Sequence, residues 1–140
     1  MANTQTFSYN STMLIDDNEI DNLINQKMIE SCSLAKTVLV HTGAKSALEF
    51  LKNIQKLTTE GNVLIPELIF LDIDMPIMDG FQFMDEFGKL PDSIKNNTKV
   101  VMLTSSLSPH DVTKAKKNSH IVKFLNKPLS LEELDKLRTI

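Results

Sequence analysis

The sequence predicts an α/β fold, a doubly wound five-stranded parallel sheet with strand order 2-1-3-4-5. Short apolar or β-branched runs alternate five times with stretches of helical apolar spacing. The third run, Leu68 to Leu71, is apolar throughout, as in a strand buried on both faces. A chain of 140 residues is the size of one domain and can bury one sizeable core. Parallel strands need helical crossovers, which are right-handed, and five such strands commonly take the order above.

The elements follow one another in a regular way. Met13-Leu14-Ile15 is the first strand and ends in Asp16-Asp17. Ile20, Leu23, Ile24, Met28 and Ile29 then recur at helical spacing. Thr37 to Val40 is a β-branched second strand closed by Thr42-Gly43. Ala47, Leu48, Leu51, Ile54 and Leu57 mark the second helix, which Glu60-Gly61-Asn62 breaks. Asp72 ends the third strand. After Gly80 a third helix turns Phe81, Met84 and Phe87 inward, and Pro91 to Thr98 reads as a loop longer than usual crossovers. Val100 to Leu103 is the fourth strand, followed by Thr104-Ser105-Ser106. Ser108-Pro109-His110-Asp111 reads as a helix start, with Ser at the N-cap and Pro at N1. Ile121 to Leu125 is the fifth strand, and Lys127-Pro128 follows it. Ser130-Leu131-Glu132-Glu133 is a capping box opening a short last helix.

Residues 1–10 are polar and uncharged, without the basic start and apolar stretch of a secretory signal. They read as a flexible arm, with Phe7 and Tyr9 able to pack on a domain spanning 11–140. The chain ends soon after the fifth helix, so no output domain is expected. A net charge of −3, from 15 basic and 18 acidic residues, gives no strong field toward nucleic acid or an acidic membrane. No apolar run nears the roughly 18 residues of a membrane span. Cys32 alone cannot form an internal disulfide, and one free thiol fits the cytoplasm. His41, His110 and His120 have no ligand-like spacing.

In the predicted strand order the C-terminal ends of strands one and three lie side by side, where such folds bind ligands. Asp16 and Asp17 then meet Asp72 in one crevice, with Thr104 and Lys127 beside them. Three close carboxylates repel one another, which favours protonating one of them or binding a divalent cation. Hard oxygen ligands with room for water and phosphate oxygens describe a Mg²⁺ site. Lys127 offers a positive charge, Thr104 a hydroxyl and Asp72 a nucleophile, the parts that phosphoryl transfer needs. Asp16 and Asp17 alone would serve equally well as helix caps. With Asp72 and Lys127 in the same crevice, the metal reading outweighs that one.

The segments Ile15-Asp16-Asp17, Leu71-Asp72-Ile73-Asp74-Met75-Pro76-Ile77-Met78-Asp79-Gly80, Leu103-Thr104-Ser105 and Asn126-Lys127-Pro128 resemble a bacterial two-component response-regulator receiver domain. The resemblance runs from about Met13 onward and is to the single-domain, chemotaxis-regulator-like type, whose fold is flavodoxin-like. It implies that Asp72 is the phosphoacceptor and that Asp17 and Asp72 bind Mg²⁺ directly. It further implies the Asp74 backbone carbonyl as a ligand and Asp16 as one acting through water. Thr104 matches the hydroxyl that moves to the phosphoryl group, Lys127 the lysine that bridges to it, and Phe124 a switch aromatic. The bond before Pro128 is expected to be cis. The donor implied is a histidine kinase or a histidine phosphotransfer protein. The signal would leave through the fourth predicted helix, fifth strand and fifth helix, where Lys114 and Lys117 are either a solvated face or, with Phe124, a partner surface. The downstream target would be a protein, with no nucleic-acid or membrane partner.

Two other functions share parts of this pattern. A haloacid-dehalogenase-type phosphohydrolase also uses Asp-x-Asp, here Asp72-Ile73-Asp74, with a later Thr and Lys. That motif usually sits on the first strand, whereas Asp72 ends the third, and only helical Glu132, Glu133 and Asp135 follow Lys127. A degenerate receiver working without phosphorylation is disfavoured by the intact acid, hydroxyl and lysine set.

Overall fold

The five apolar runs form the strands of one parallel sheet in the computed structural model, which describes residues 6–57, 65–106 and 108–140. The strands are β1 (Tyr9–Ile15), β2 (Ala35–His41), β3 (Leu68–Asp72), β4 (Lys99–Thr104) and β5 (Ile121–Asn126), in the order β2-β1-β3-β4-β5. The predicted fold class and strand order are therefore those of the structure. Side chains alternate faces along a strand, and the central strands are apolar at both sets of positions. Met13, Ile15, Ile69, Leu71, Val100 and Met102 point to one side, and Leu14, Leu68, Phe70, Val101 and Leu103 to the other. Each face then needs a helical cover.

Helices α1 (Glu19–Ser31) and α6 (Leu131–Lys136) cover the second face through Ile29 and Leu134. Helices α2 (Ala44–Leu57), α3 (Gly80–Phe87) and α4 (Asp92–Lys95) cover the first through Leu48, Leu51, Phe83, Phe87 and Ile94. Helix α5 (Pro109–Lys116) packs on β5. Leu137–Thr139 closes the chain as a 3₁₀ turn, so the last α-helix is shorter than the stretch from Leu131 to Ile140.

Several expectations change in detail. β1 begins at Tyr9, so Tyr9 and Asn10 belong to the sheet and not to a free arm. The Tyr9 amide donates to the Leu34 carbonyl at 2.9 Å, and its hydroxyl donates to the Leu137 carbonyl. Residues 1–5 of the expected arm, and the Glu60-Gly61-Asn62 breaker, lie outside the described residues. The loop from Pro91 to Thr98 contains α4, because Ile94 anchors one turn in the core while Pro91 starts it. In α3, Phe83 takes the inward position expected of Phe81, which is half-buried. Ser108 makes no side-chain cap bond, although Pro109 does open α5. Ser130 accepts from the Glu133 amide as expected, while the full reciprocal capping box forms at α3 between Asp79 and Gln82.

The largest change concerns α1. Its apolar residues Ile20, Leu23 and Ile24 are exposed, and its buried residues are Asn22, Asn25 and Ile29. The two amides do work that apolar side chains cannot. Asn22 Nδ2 donates to the Asp16 carbonyl at 2.8 Å, and Asn25 Oδ1 accepts from the Leu129 amide at 3.0 Å. A buried polar group with a partner is tolerated, and here each fastens a loop at the mouth of the sheet.

Among the described glycines, Gly80 sits in the tightest backbone approach. A Cβ there would lie 2.8 Å from the Asp72 carbonyl oxygen and 2.9 Å from the Ile73 Cα. Neither backbone atom can yield without moving the end of β3. Gly80→Ala is expected to destabilise the protein by about 1–3 kcal/mol, as overpacking does, measured by denaturant unfolding. An unchanged midpoint would show that this loop has slack.

Candidate functional site

The C-terminal ends of β1 and β3 are neighbours, with Ile15 in register with Leu71. The residue after each strand's last apolar side chain therefore emerges at one crevice. Asp16 and Asp72 are both buried, at 2% exposure, and Asp17 is exposed at the rim. One carboxylate oxygen from each of Asp16, Asp17 and Asp72 lies within 4.8 Å of the others. The helix-cap reading of the acidic pair does not hold, because Asn18 caps α1. Its Oδ1 accepts from the Ile20 and Asp21 amides at 2.9 and 3.1 Å. Asp16 Oδ1 accepts from the Asn18 amide at 2.9 Å, which orients that carboxylate and leaves its other oxygen facing the crevice.

Lys127 reaches in from the loop after β5. Its amide donates to the Thr104 carbonyl at 2.8 Å, and the Lys127–Pro128 bond is cis, as the sequence led one to expect. The ammonium lies 3.0 Å from Asp16 Oδ2, 2.9 Å from Asp21 Oδ2 and 3.4 Å from Asp72 Oδ1, with 11% of the side chain exposed. Asp21 was not singled out from the sequence. The signal was available, since Asp21 follows Asp17 by one helical turn on the element that starts at the crevice.

Burial, and next the charge of Asp16, push the Asp72 carboxyl up to about 6, against the opposing pull of Lys127 and of the Asp74 amide. Burial alone would lower the Lys127 ammonium. Its hydrogen bonds to Asp21 and Asp16, with the charges of Asp72 and Asp16, instead raise it above the ordinary lysine value. The crevice therefore holds one cation among several carboxyl groups, which it offsets only in part. A hard divalent cation fits such a donor set.

Asp74 is exposed on the loop after β3, and its amide donates to Asp72 Oδ1 at 3.3 Å. Thr104 ends β4, is buried, and holds the next loop. Its Oγ1 donates to the Ser106 carbonyl at 2.9 Å and accepts from the Ser106 amide at 3.1 Å. The residues of the expected partner surface divide around α5. Lys114 sits over the Phe81 ring at 4.4 Å, and Lys114 and Lys117 line a groove facing α3. Phe124 is half-buried and lines a separate groove with Val112, Ala115 and Val122. Among the described residues, no helix is long and apolar enough to cross a membrane.

The chain matches the family model described as response regulator receiver domain over residues 12–138. A two-component response regulator from Cytophaga hutchinsonii has a similar solved structure, with a TM-score of 0.79 and 30% identity over 91% of this chain and 92% of that one. Response regulator Rcp1 from Synechocystis is 27% identical over 89% of this chain and 81% of its own length. The sensor histidine kinase CheAY of Helicobacter pylori is 32% identical over 87% of this chain, a match that spans 14% of the larger protein.

A carboxyl whose value rises from 3.8 to about 6 on folding binds its proton more tightly in the folded state. That contribution is fully present below about pH 4 and is lost as the pH rises to about 6. The ionised group then destabilises the folded state relative to acid. In EDTA, Asp72→Asn should raise Tm near neutral pH, and the gain should shrink toward about pH 4.5. Thermal unfolding of both proteins across this range checks it. A variant no more stable than its parent at neutral pH would contradict the crowding of charge.

Proposed function

Because the chain belongs to the response regulator receiver domain family, we propose that Asp72 accepts a phosphoryl group from a phosphohistidine donor and that the resulting change of surface carries a signal. The observation that carries this reading is the meeting of Asp72 with Asp16, Asp17 and Lys127 at the mouth of adjacent strands. Three acids and one lysine at one point have little use in a purely structural site, where they cost desolvation energy.

Asp72 is the nucleophile. One of its carboxylate oxygens forms the new O–P bond while the donor's N–P bond breaks, and the electron pair of that bond stays on nitrogen. Asp17 and Asp72 side chains and the Asp74 carbonyl would hold Mg²⁺, with Asp16 acting through water. When bound, Mg²⁺ neutralises charge on the phosphoryl oxygens. Lys127 is the cation that turns to a phosphoryl oxygen. The Thr104 hydroxyl leaves its bonds to Ser106 for another such oxygen, which draws the loop after β4 inward. The start of α5 lies five residues beyond Thr104, so the movement reaches the grooves beside Phe124 and Lys114. Phe124 turns with it, and this face meets a downstream protein. Adding a charged group thus biases a two-state element. Water attack on the phosphorus regenerates the Asp72 carboxylate, releases inorganic phosphate and resets the switch.

The donor is a cytoplasmic histidine kinase or histidine phosphotransfer protein. To deliver its phosphohistidine it must lie across the rim of the crevice, and α1 presents Ile20, Leu23 and Ile24 there, exposed by 68, 55 and 43%. Apolar residues exposed together suit a protein contact.

Incubation with phosphoramidate and Mg²⁺, followed by intact mass measurement, tests the reading. The parent should gain one phosphoryl mass, and Asp72→Asn should gain none. Asp17→Ala, or omission of Mg²⁺, should slow the gain by at least about 100-fold, the scale of losing a charge-stabilising group. A folded parent that never gains mass would contradict the proposal.

A further inference from the structure

We propose that Asp21 is a positioning residue that restrains Lys127, holding the ammonium toward α1 and slowing its engagement with a phosphoryl group on Asp72. The inference rests on the reading of Asp72 as phosphoacceptor and adds a fourth carboxylate to that site. A lysine ammonium has three donors and no acceptor. Here all three have carboxylates to face, Asp21 at 2.9 Å, Asp16 at 3.0 Å and Asp72 at 3.4 Å. The shortest contact is therefore made to the first turn of α1 and the longest to the nucleophile.

The three partners are not equivalent. Asp16 and Asp72 belong to the carboxylate cluster suited to a divalent cation, and Asp21 does not. A cation bound there weakens the hold of Asp16 and Asp72 on Lys127 and leaves that of Asp21 in place. Asp21 is also set firmly. The Asn18 side chain accepts from its backbone amide at 3.1 Å, and Asn22 beside it is clamped to the Asp16 carbonyl. The Asp21 side chain keeps about a third of its surface, 32%, open to solvent. A phosphoryl group arriving on Asp72 thus competes with a fixed, hydrated carboxylate for one ammonium. The same carboxylate adds a negative charge near an anionic donor. Both effects act in one direction, against phosphoryl uptake.

Asp21 also lies on the helix whose exposed Ile20 and Ile24 flank it. Its place on the rim puts the restraint where an approaching donor would meet it.

The experiment measures the rate of phosphoryl uptake from phosphoramidate with Mg²⁺ by intact mass, for the parent, Asp21→Asn, Asp21→Glu and Glu19→Gln. In this transfer the N–P bond breaks, ammonia leaves with the electron pair, and the O–P bond to Asp72 forms. Asp21→Asn should speed uptake by about five-fold, the scale of one partly exposed charge contact. Asp21→Glu retains a carboxylate and should stay near the parent. Glu19 is exposed on the same turn and makes no ion pair among the described residues, so Glu19→Gln removes equal charge without touching Lys127 and should leave the rate unchanged. A second readout needs neither donor nor metal. In EDTA, the nitrogen–proton NMR signal of the Lys127 ammonium should be protected from exchange in the parent and Asp21→Glu, and lose protection in Asp21→Asn.

Uptake by Asp21→Asn at or below the parent rate would overturn the inference while leaving Asp72 as acceptor. Equal acceleration by Glu19→Gln would overturn it too, since net charge alone would then suffice. A parent that takes up no phosphoryl group would overturn the phosphoacceptor reading and this inference with it. In that case the NMR comparison would still report whether Asp21 holds Lys127.

Discussion

One ammonium holds this crevice together. Neighbouring β1 and β3 bring Asp16 and Asp72 to a common point, with Asp17 at the rim, and like charges so placed oppose the fold that gathers them. Lys127 meets two of these carboxylates and Asp21 from a loop on the far side of β4. Replacing Lys127 with a neutral residue would cost about 3–5 kcal/mol, because the buried carboxylates lose their compensation. The loops around it are built to keep Lys127 in place. Its own amide is bound to the Thr104 carbonyl, and the Leu129 amide is bound to Asn25 of α1. The compensation is incomplete all the same, as the raised Asp72 carboxyl shows.

That incomplete compensation separates the two ends of the molecule. Below the crevice the sheet is closed to solvent, with Phe70, Leu71, Val101 and Met102 fully buried. Such a core has low compressibility and yields little. At the crevice, by contrast, charge is crowded and side chains have alternative partners. Lys127 has three carboxylates to choose among, and the Thr104 hydroxyl is engaged with Ser106 and not with Asp72. A site in that condition responds to one added charge, and the rigid sheet beneath it confines the response to the loops. The phosphoryl switch proposed for Asp72 needs both properties at once.

The sequence made the sheet legible because parallel strands are buried on both faces and read as uninterrupted apolar runs. Leu68 to Leu71 and Val100 to Leu103 are such runs, and both are strands in the structure. The crevice was legible for the same reason, since Asp16, Asp72 and Thr104 each stand where an apolar run stops. Helix faces were harder to read. Ile20, Leu23 and Ile24 have the spacing of a core stripe, yet α1 turns them outward and buries Asn22 and Asn25. Apolar spacing assumes that a helix is held by apolar contact, and α1 is held in large part by two amides bonded to loop backbone. Asp21 escaped for a related reason. Its partner is 106 residues away, and only the folded loop after β5 brings the two together. Short α4 was missed because one apolar residue, Ile94, sets it, and one residue has no period.

In the proposed reaction a phosphoryl group comes to rest on Asp72. An acyl phosphate is reduced by borohydride, which converts an aspartyl phosphate to homoserine and leaves an unmodified carboxylate alone. The most direct measurement is therefore borohydride reduction of the phosphoramidate-treated protein in Mg²⁺, followed by peptide mapping. Homoserine is expected at position 72 and at no other aspartate, Asp16, Asp17, Asp21 and Asp74 included. Homoserine at one of those positions, or a phosphoryl group found on a histidine, serine or threonine with Asp72 unmodified, would contradict it.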